Sequence, residues 1–329
     1  MSACSTQEDS LELTDSTDFN LWKPDILVLG SGGGKGYLQL GALLNLETNN
    51  IIDNVIAYVG CSVGAVIGLL LVAGYDVQEI IEEVTAIELF LDIYHVSLKD
   101  SRLNEGLISN QSIHDLLCRM LREKFGFVPT LHQLYQATGK VFTTVTVNIT
   151  HPRVEYMSHE TEPGISSVEA VMLSMNIPFL FYRLRYKSCT YIDGAYGDPY
   201  PINIYDDGNY NILGISTPSV LDVGLPNNST SLQYALQVLN WPINQLRRMN
   251  IRTASNHCKH LELYSDIEDA IGITFTDDQK AKMMLEGYDK SVEFINSLKN
   301  QRLDKETQDT SIFDHLESHK EENLVSESA

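Results

Sequence analysis

The pentapeptide Gly60-Cys61-Ser62-Val63-Gly64 constrains the fold of this chain more than any other segment. It separates two apolar runs, Val55–Val59 before it and Ala65–Ala73 after it. This order predicts a buried strand, a sharp turn at Ser62 and a buried helix, which is the context that a G-x-S-x-G motif requires. The glycines leave room where strand and helix nearly touch, so the serine hydroxyl can stand exposed on a strained turn. The start of the helix adds amide N–H groups and a positive dipole where an oxyanion would form.

This turn makes Ser62 the candidate nucleophile of a serine hydrolase. Five-residue matches of this kind also arise by chance, and in that case Ser62 would be an ordinary turn residue. The β-rich run before it and the apolar helix after it favour the nucleophile. Cys61 occupies a position whose side chain points away from such a site. We therefore predict that Cys61 is a small buried apolar residue rather than a thiol nucleophile.

Length and composition bound the class of protein. A chain of 329 residues with 43% hydrophobic content can hold one large α/β domain with appendages, or two smaller domains. Its five cysteines are scattered without C-x-x-C spacing, which predicts neither a disulfide framework nor a zinc site. The first residues lack the basic and apolar regions of a signal peptide, and the longest apolar run is short for a membrane span. We expect a cytoplasmic protein that contacts membranes only peripherally.

The charge balance opposes two classes of partner. The chain has 23 basic and 44 acidic residues, and its net charge of −21 disfavours nucleic-acid binding and broad attraction to anionic membranes. The acidity is concentrated in residues 1–20 and 304–329. Both ends are therefore predicted to be disordered.

Short apolar runs alternate with segments of helical periodicity along the chain. The predicted strands are residues 25–29, 55–59, 140–148, 190–192 and 211–215. The predicted helices are residues 36–50, 63–73, 76–125, 168–174 and 229–300, with a less regular stretch at 94–107. This alternation predicts an α/β fold with a mainly parallel sheet that is flanked by helices.

The segment Gly30–Gly36 has the features of an anion-binding loop, because it follows the first strand and opens a helix. A P-loop does not fit, since Lys35 is followed by Gly36 instead of Ser or Thr. The dinucleotide motif G-x-G-x-x-G also fails by one position, which leaves a nucleotide-binding enzyme as a distant alternative. An oxyanion hole is the third assignment, in which Lys35 anchors the loop or adds positive potential. Adjacent parallel strands would place this loop and Ser62 at the same edge of the sheet.

Three elements in this order resemble the patatin-like phospholipase family. They are the glycine loop with its basic residue, the G-x-S-x-G turn, and the tripeptide Asp193-Gly194-Ala195 after a β run. Ser174–Phe179 is similar to the family's serine-x-x-aliphatic-proline segment, and the resemblance covers about residues 25–205. One position departs from the family. Aligned on the basic residue of the loop, the family's first loop glycine falls on Ser31, which supplies a backbone N–H but restricts φ.

The resemblance implies a patatin-like three-layer α/β fold, a helical C-terminal extension, and a catalytic dyad in place of a triad. Ser62 would attack an ester carbonyl, and Asp193 would act directly as the general base. The implied oxyanion hole consists of the amides of Gly32, Gly33 and Gly34, supported by Lys35, Gly36, Gly60, Gly64 and Gly194. The family uses neither a metal nor an organic cofactor, so we expect none here.

The extent of the resemblance, together with the composition and periodicity of the rest, predicts a division of the chain. The predicted segments are an acidic disordered N-terminus (1–24), a catalytic domain (25–205), a C-terminal part of the fold that is mostly helical (206–302), and an acidic disordered tail (303–329).

A conventional triad base is the alternative to Asp193 acting alone. The candidates are His95, His114, His151 and His257. None of them lies in a motif that points to the site, so each is more simply a surface or capping residue. Asp193 could itself belong to an ordinary Asp-Gly turn, but its place after a β run favours catalysis.

Two segments bear on substrate binding. Phe179–Lys187 interleaves aromatic and cationic residues, and is either a patch for a lipid interface or an edge hairpin with one solvated face. The hairpin is favoured. A basic cluster on a predicted helix, comprising Arg247, Arg248 and Arg252, is interpreted as a solvated face.

These features predict a lipid acyl hydrolase of the phospholipase A type. The expected partner is a phospholipid or another lipid ester at a membrane or lipid-droplet interface, with a protein activator as a further candidate and no nucleic acid. A neutral-lipid lipase or acyltransferase with the same dyad remains an alternative. So does a catalytically weak lipid-binding protein, which Ser31 favours and the presence of both Ser62 and Asp193 disfavours.

Overall fold

The computed structural model describes residues 21–86, 109–218, 231–265, 267 and 275–326. The strands in these residues are β1 (Ile26–Leu29), β2 (Ala57–Cys61), β3 (Val141–Asn148), β4 (Arg153–Met157), β5 (Leu184–Tyr186), β6 (Cys189–Asp193), β7 (Ile212–Ser216) and β8 (Cys258–Glu262). The α-helices are α1 (Gly36–Thr48), α2 (Val63–Val72), α3 (Val77–Thr85), α4 (Gln111–Phe125), α5 (Leu131–Thr138), α6 (Ser167–Ser174), α7 (Ser231–Thr253) and α8 (Asp277–Ser326).

The strands form one mixed sheet in the order β5-β6-β3-β2-β1-β7-β8, with β4 also paired to β3. The five neighbouring strands β3, β2, β1, β7 and β8 run parallel to one another. Strands β4, β5 and β6 join the sheet through antiparallel pairs. The prediction of a mainly parallel sheet is therefore confirmed. The parallel strands bring the ends of β1 and β2 to one edge, with Leu29 opposite Gly60.

Helices and loops cover both faces of this sheet, as the side chains of β1 show. Leu27 and Leu29 belong to a large core that includes residues of α1, α2, α4, α5 and α6. Ile26 and Val28 point to a smaller core with Tyr200. Because successive residues of a strand face opposite sides, the two cores lie on opposite faces of the sheet. The result is the predicted three-layer arrangement.

Local sequence signals fix several helix ends on these layers. Asp76 and Glu79 form a capping box at the start of α3, and Thr130 and Gln133 form another at the start of α5. Helices α4 and α5 both end at a glycine in the left-handed conformation.

Two strands, β2 and β6, pair one after the other with the same edge of β3. Its residues Thr144–Asn148 pair with β4 on one side. On the other side Val141–Val145 pair with β2, and from Thr146 onward β6 takes over. Cys61 is opposite Val145, and Asp193 is opposite the next residue, Thr146. The ends of β2 and β6 therefore meet on consecutive residues of the same strand.

The C-terminal helix α8 packs directly on α1, the helix that follows the glycine loop. A side chain at Gly41 would lie 1.9 Å from the carbonyl oxygen of Met284, and one at Gly287 would lie 2.0 Å from that of Leu38. The Asn45 side-chain amide donates to Ser291 Oγ at 2.8 Å. Residues beyond 206 are thus an integral part of this fold, although the division into four segments stays a prediction.

The structure corrects several element boundaries. Strand β2 ends at Cys61, two residues later than predicted, because its pairing with β1 and β3 continues up to the turn. Residues 258–262, predicted to be helical, form β8, which pairs with β7. Helix α8 continues to Ser326, where a disordered tail was predicted. That stretch has no glycine or proline, the two residues that most oppose helix.

Leu21 and Trp22, which the predicted division assigns to the N-terminal segment, pack against the large core. The less regular stretch at 94–107 and residues 1–20 lie outside the described residues.

Candidate active site

Ser62 stands on a tight turn between β2 and α2. Its φ of 56° and ψ of −122° place a non-glycine residue in a sparsely populated region, which costs on the order of 1–3 kcal/mol. The turn is tight because its glycines touch backbone: a side chain at Gly64 would lie 2.2 Å from the carbonyl oxygen of Leu29. A side chain at Gly60 would lie 2.4 Å from Ala65 Cα. The sequence-predicted strand, turn and helix are all present here.

The Ser62 hydroxyl donates a hydrogen bond to Asp193 Oδ2 at 2.6 Å. The other carboxylate oxygen, Oδ1, accepts from the backbone N–H of Ala195 at 2.8 Å. Both side chains are buried, since Ser62 is 5% exposed and Asp193 2%. The structure thus brings together the two residues that the sequence singled out for catalysis.

Burial controls the charge of this carboxylate. Loss of solvent raises the pKa of Asp193 from 3.8 to about 6, while the hydrogen bonds from Ser62 and Ala195 act in the opposite direction. At neutral pH the group is therefore ionised and close to its pKa. It can accept a proton from the serine hydroxyl and return it, which is what a general base must do.

Ser174, the last residue of α6, and Asn176 hold Ser62 and Asp193 in place. The backbone N–H of Ser62 donates to Ser174 Oγ at 3.0 Å, and the N–H of Asp193 donates to the carbonyl oxygen of Asn176 at 2.9 Å. The Asn176 side-chain amide donates to the carbonyl of Tyr191 at 3.0 Å. The sequence indicated this segment only through its likeness to the family pattern, and the positioning roles of Ser174 and Asn176 were missed.

The glycine loop forms a 3₁₀ turn over Gly33–Lys35 beside Ser62. The N–H of Lys35 donates to Gly32 O, and that of Gly36 donates to Gly33 O. The amides of Gly32, Gly33 and Gly34 precede these donors, so the turn itself does not use them. Gly33 has a φ of 55°, which favours glycine. The register of β1 with β2 aligns this loop with the G-x-S-x-G turn.

Ser31 fits the loop without strain. It is buried, and it is not among the residues with positive φ. Its N–H donates to the carbonyl of Pro199 at 2.8 Å, so this amide is already bonded within the protein. Its carbonyl accepts from Thr217 Oγ1 at 3.1 Å. The departure from the family pattern is therefore accommodated by the local backbone.

A buried arginine from α7 braces the same residue. Arg247 Nη2 donates to the carbonyl oxygen of Ser31 at 3.1 Å and to its hydroxyl oxygen at 3.2 Å. Arg247 is only 4% exposed, which corrects its predicted place on a solvated face. It lies one helical turn after Ile243, which packs against Cys61 and Ala195, and this spacing was the available signal.

Lys35 adds a second cation at the loop. Its Nζ donates to the carbonyl of Pro218 at 3.5 Å. Burial, with a further contribution from the charge of Arg247, lowers the pKa of Lys35 to about 8. Burial also lowers the pKa of Arg247 to about 10, so both groups are charged at neutral pH. Positive potential therefore surrounds the loop amides.

The remaining candidates lie elsewhere. Cys61 is fully buried beside Val145 and Ala195, as an apolar residue would be. Of the nominated histidines, His114 contacts neighbours on α4, His151 and His257 are exposed, and His95 lies outside the described residues. The serine hydroxyl donates to Asp193 rather than to an imidazole.

The segment 179–187 contributes to an edge hairpin. Strand β5 is at the end of the sheet, paired antiparallel with β6. Exposed Arg183, Arg185 and Lys187 alternate with partly buried side chains, and Lys187 pairs with Glu162 at 2.7 Å. The structure therefore contains the hairpin alternative, while Phe179 before it is 74% exposed.

Within the described ranges, His, Cys, Asp and Glu side chains form no group of three or more that could hold a metal ion. Helices in the same part of the chain include none with an apolar stretch long enough to cross a bilayer.

Comparisons with known proteins agree with this geometry. A sequence model of the family described as patatin-like phospholipase matches residues 27–206. The chain is 31% identical over 181 residues to the probable lipid hydrolase 463L of Invertebrate iridescent virus 6, covering 54% of this chain and 62% of that protein. It is 27% identical over 198 residues to the uncharacterized protein R571 of Acanthamoeba polyphaga mimivirus, covering 58% and 64%. The chain thus spans about three fifths of the length of these curated relatives.

A solved structure shares the fold. VipD from Legionella pneumophila superposes with a TM-score of 0.52 at 16% sequence identity. The superposition covers 84% of this chain and 67% of that chain.

Proposed function

The chain belongs to the patatin-like phospholipase family, and from this premise we propose that it is a lipid acyl hydrolase of the phospholipase A type that works through Ser62 and Asp193. The observation that carries the proposal is the hydrogen bond of 2.6 Å from Ser62 Oγ to a buried carboxylate with a pKa of about 6. Family membership supports a hydrolase that acts on lipids. The dyad and the bond that it cleaves are our inference from the geometry.

Acylation is the first half of the proposed reaction. Ser62 Oγ attacks the acyl carbonyl carbon while its proton passes to Asp193 Oδ2. The tetrahedral intermediate then collapses, the bond to the glycerol oxygen breaks, and that oxygen leaves with the proton from Asp193. The products are a lysophospholipid and an acyl ester on Ser62.

Deacylation repeats the same proton transfers with water. Water attacks the acyl carbonyl as Asp193 takes its proton, and collapse of the second intermediate returns the proton to Ser62 Oγ. A free fatty acid is released, and the enzyme returns to its starting state. One carboxylate thus serves both halves, which requires a pKa close to the working pH.

The amides of Gly32, Gly33 and Gly34 are the proposed donors to the oxyanion. They precede the first hydrogen-bonded donor of the 3₁₀ turn, and the cations Lys35 and Arg247 lie beside the loop. Each such donor contributes about 10²–10³ in rate in serine hydrolases. Ser31 does not weaken this proposal, because its own amide is bonded to Pro199. Ser31 was the feature that favoured the alternative of a catalytically weak lipid-binding protein, and it therefore no longer supports that alternative.

The test is release of fatty acid by wild type, Ser62→Ala and Asp193→Asn, with EDTA present. Phosphatidylcholine vesicles and triacylglycerol emulsions are offered in parallel, which separates the phospholipase from the neutral-lipid lipase. We expect fatty acid from the vesicles with wild type, a loss of about 10³-fold or more in both variants, and unchanged circular dichroism. Equal release of fatty acid by wild type and Ser62→Ala would refute Ser62 as the nucleophile. Release of fatty acid from triacylglycerol alone would refute phospholipid as the substrate class.

A further inference from the structure

Helix α7 carries an exposed apolar stripe. Tyr234, Val238 and Trp241 follow one another at spacings of four and three residues, and they are 59%, 53% and 64% exposed. These spacings place them on one face of the helix. Met249, 53% exposed, continues the same face about two turns later. An exposed apolar surface of this continuity marks an interaction site more often than a solvated helix.

The opposite face of α7 contacts the candidate active site. Ile243 packs against Cys61 and Ala195, next to the dyad, and Arg247 bonds to Ser31 of the glycine loop. A helix with its side chains is about 10–12 Å across. Whatever binds the outward stripe is therefore held about one helix diameter from the residues that we assign to catalysis.

The charge of α7 is opposite to that of the whole chain. Residues 231–253 contain three arginines and no acidic residue, within a protein of net charge −21. Arg248 and Arg252 are exposed, and they lie seven and eleven residues after Trp241, on the same face. Because salt screens charges beyond about 8–10 Å, the charges on α7 itself count for more at this face than the net charge of the whole chain.

A second apolar stripe on α8 shows what distinguishes α7. Three residues at helical spacing on α8 are exposed by 61%, 36% and 37%, namely Leu285, Tyr288 and Val292. They are interleaved with acidic residues, namely Glu286, Asp289 and Glu293. Both helices expose apolar side chains, but the stripe on α8 is flanked by carboxylates, whereas α7 has arginines and no acidic residue.

We propose that the outward face of α7 docks the protein on a phospholipid bilayer. Tyr234, Val238 and Trp241 enter the boundary between headgroups and acyl chains, where Trp and Tyr are favoured. Arg248 and Arg252 meet lipid phosphates. The bilayer as a source of ester substrate rests on the proposed function. Docking itself requires no hydrolysis, so the two ideas can fail separately.

The experiment uses the full chain in a Ser62→Ala background, so that vesicle binding is measured without hydrolysis. The protein has two tryptophans, Trp22 and Trp241. In a Trp22→Phe variant, Trp241 alone reports on its surroundings. With vesicles of phosphatidylcholine and a minority of phosphatidylglycerol, we expect its emission to shift to the blue and to be protected from a soluble quencher. Added salt will weaken the binding, because cations and anionic lipid contribute to it.

Substitutions locate the binding surface. We expect Tyr234→Ser with Val238→Ser to weaken vesicle binding about tenfold or more. The matched control, Leu285→Ser with Val292→Ser on α8, will leave binding unchanged. Thermal melts check that both variants are folded, and the Trp241 emission test needs no change in α7 at all.

Two results would overturn the proposal. One is a Trp241 emission spectrum that does not change with vesicles, which would leave a protein partner as the occupant of this face. The other is an equal loss of binding in the α8 control, which would show non-specific adsorption. In the Ser62-containing protein, binding without fatty-acid release would leave docking intact and refute the proposed hydrolysis.

Discussion

Arg247 on α7 donates to both the carbonyl and the hydroxyl oxygen of Ser31, at 3.1 and 3.2 Å. The two residues are 216 positions apart, and Arg247 lies beyond residues 27–206, the range matched by the family model. The contact therefore makes the glycine loop depend on a helix from outside the part of the chain that carries the family motifs. It also keeps a positive charge beside the loop amides.

Removing this contact is expected to slow turnover while substrate binding changes little. If Arg247 positions the loop, Arg247→Met will lower kcat about tenfold to a hundredfold with little change in KM. Arg247→Lys will recover part of the loss, because one donor and the charge remain. Ser31→Ala, which keeps the carbonyl acceptor, will have a smaller effect. Steady-state kinetics on one dispersed ester measure all three, and an unchanged kcat in Arg247→Met would remove Arg247 from the positioning role.

The rate will rise with pH through the pKa of Asp193. A general base must be ionised, and burial raises the pKa of this carboxyl to about 6. In the free enzyme, kcat/KM will therefore fall about tenfold for each pH unit below 6. A profile of kcat/KM from pH 4.5 to 7.5 on an uncharged ester provides the measurement. If kcat/KM instead fell only toward pH 4, the carboxylate would be solvated during catalysis.

The alkaline side of the profile tests Lys35. Its pKa of about 8, lowered by burial and by Arg247, means that it loses its charge as the pH rises above 8. If that charge supports the oxyanion, activity will decline there. Lys35→Gln will then have lower activity at neutral pH and no decline between pH 7 and 9. The same alkaline decline in this variant would assign the limb to another group.

Asp193 is expected to decrease the stability of the fold at neutral pH. Its pKa is about 6 in the folded protein and near 3.8 when unfolded, so the folded state binds the proton more tightly. Stability therefore falls as the pH rises from 3.8 to 6, and it stays low above 6. At pH 8 we expect the free energy of unfolding of Asp193→Asn to exceed that of wild type by about 3 kcal/mol. Urea titrations will show this gain shrink at pH 5, whereas a gain independent of pH would contradict the linkage.

Two glycines of α2 provide a matched pair for the turn geometry. A side chain at Gly64 would meet the carbonyl oxygen of Leu29 at 2.2 Å, whereas one at Gly68 would meet Phe142 at an ordinary 3.4 Å. Gly64→Ala will cost about 3 kcal/mol or more, because backbone cannot move aside. Gly68→Ala will stay within about 1 kcal/mol, since alanine favours helix. Thermal melts of both variants measure the difference, and similar values would mean that α2 can shift away from β1.

The parts of the site that the sequence predicted are those with a local signal. The glycine loop, the turn at Ser62 and the tripeptide at Asp193 each follow a short apolar strand and fit within a few residues. Parallel strands then required the loop and Ser62 to share a sheet edge, and the register of Leu29 with Gly60 agrees. The sequence did not predict how β6 brings Asp193 to the same place, and only the structure showed this.

The parts that were missed depend on contacts between distant segments. The hydroxyl of Ser174 binds the amide of Ser62 across 112 positions, and nothing near Ser174 in the sequence indicates this. Arg247 was placed on a solvated face because its neighbours are arginines, yet only it points inward. Strand β8 was missed because it is five residues long and stands between two helices, so it lacks a visible period of its own.

The shared edge of β3 also bears on how this family of sequences can change in length. Ser62 and Asp193 are 131 positions apart in the sequence, but β2 and β6 end opposite Val145 and Thr146, adjacent residues of β3, and this register brings the two side chains together. Insertions or deletions in the loops between the two strands keep that spacing if Gly64, Ser174 and Asn176 stay in place. One residue inserted in β3 between Val145 and Thr146 would move Asp193 by about 3.3 Å along the strand and reverse the direction of its side chain. The loops of the intervening chain can thus gain or lose residues over evolution, while this single dipeptide step cannot.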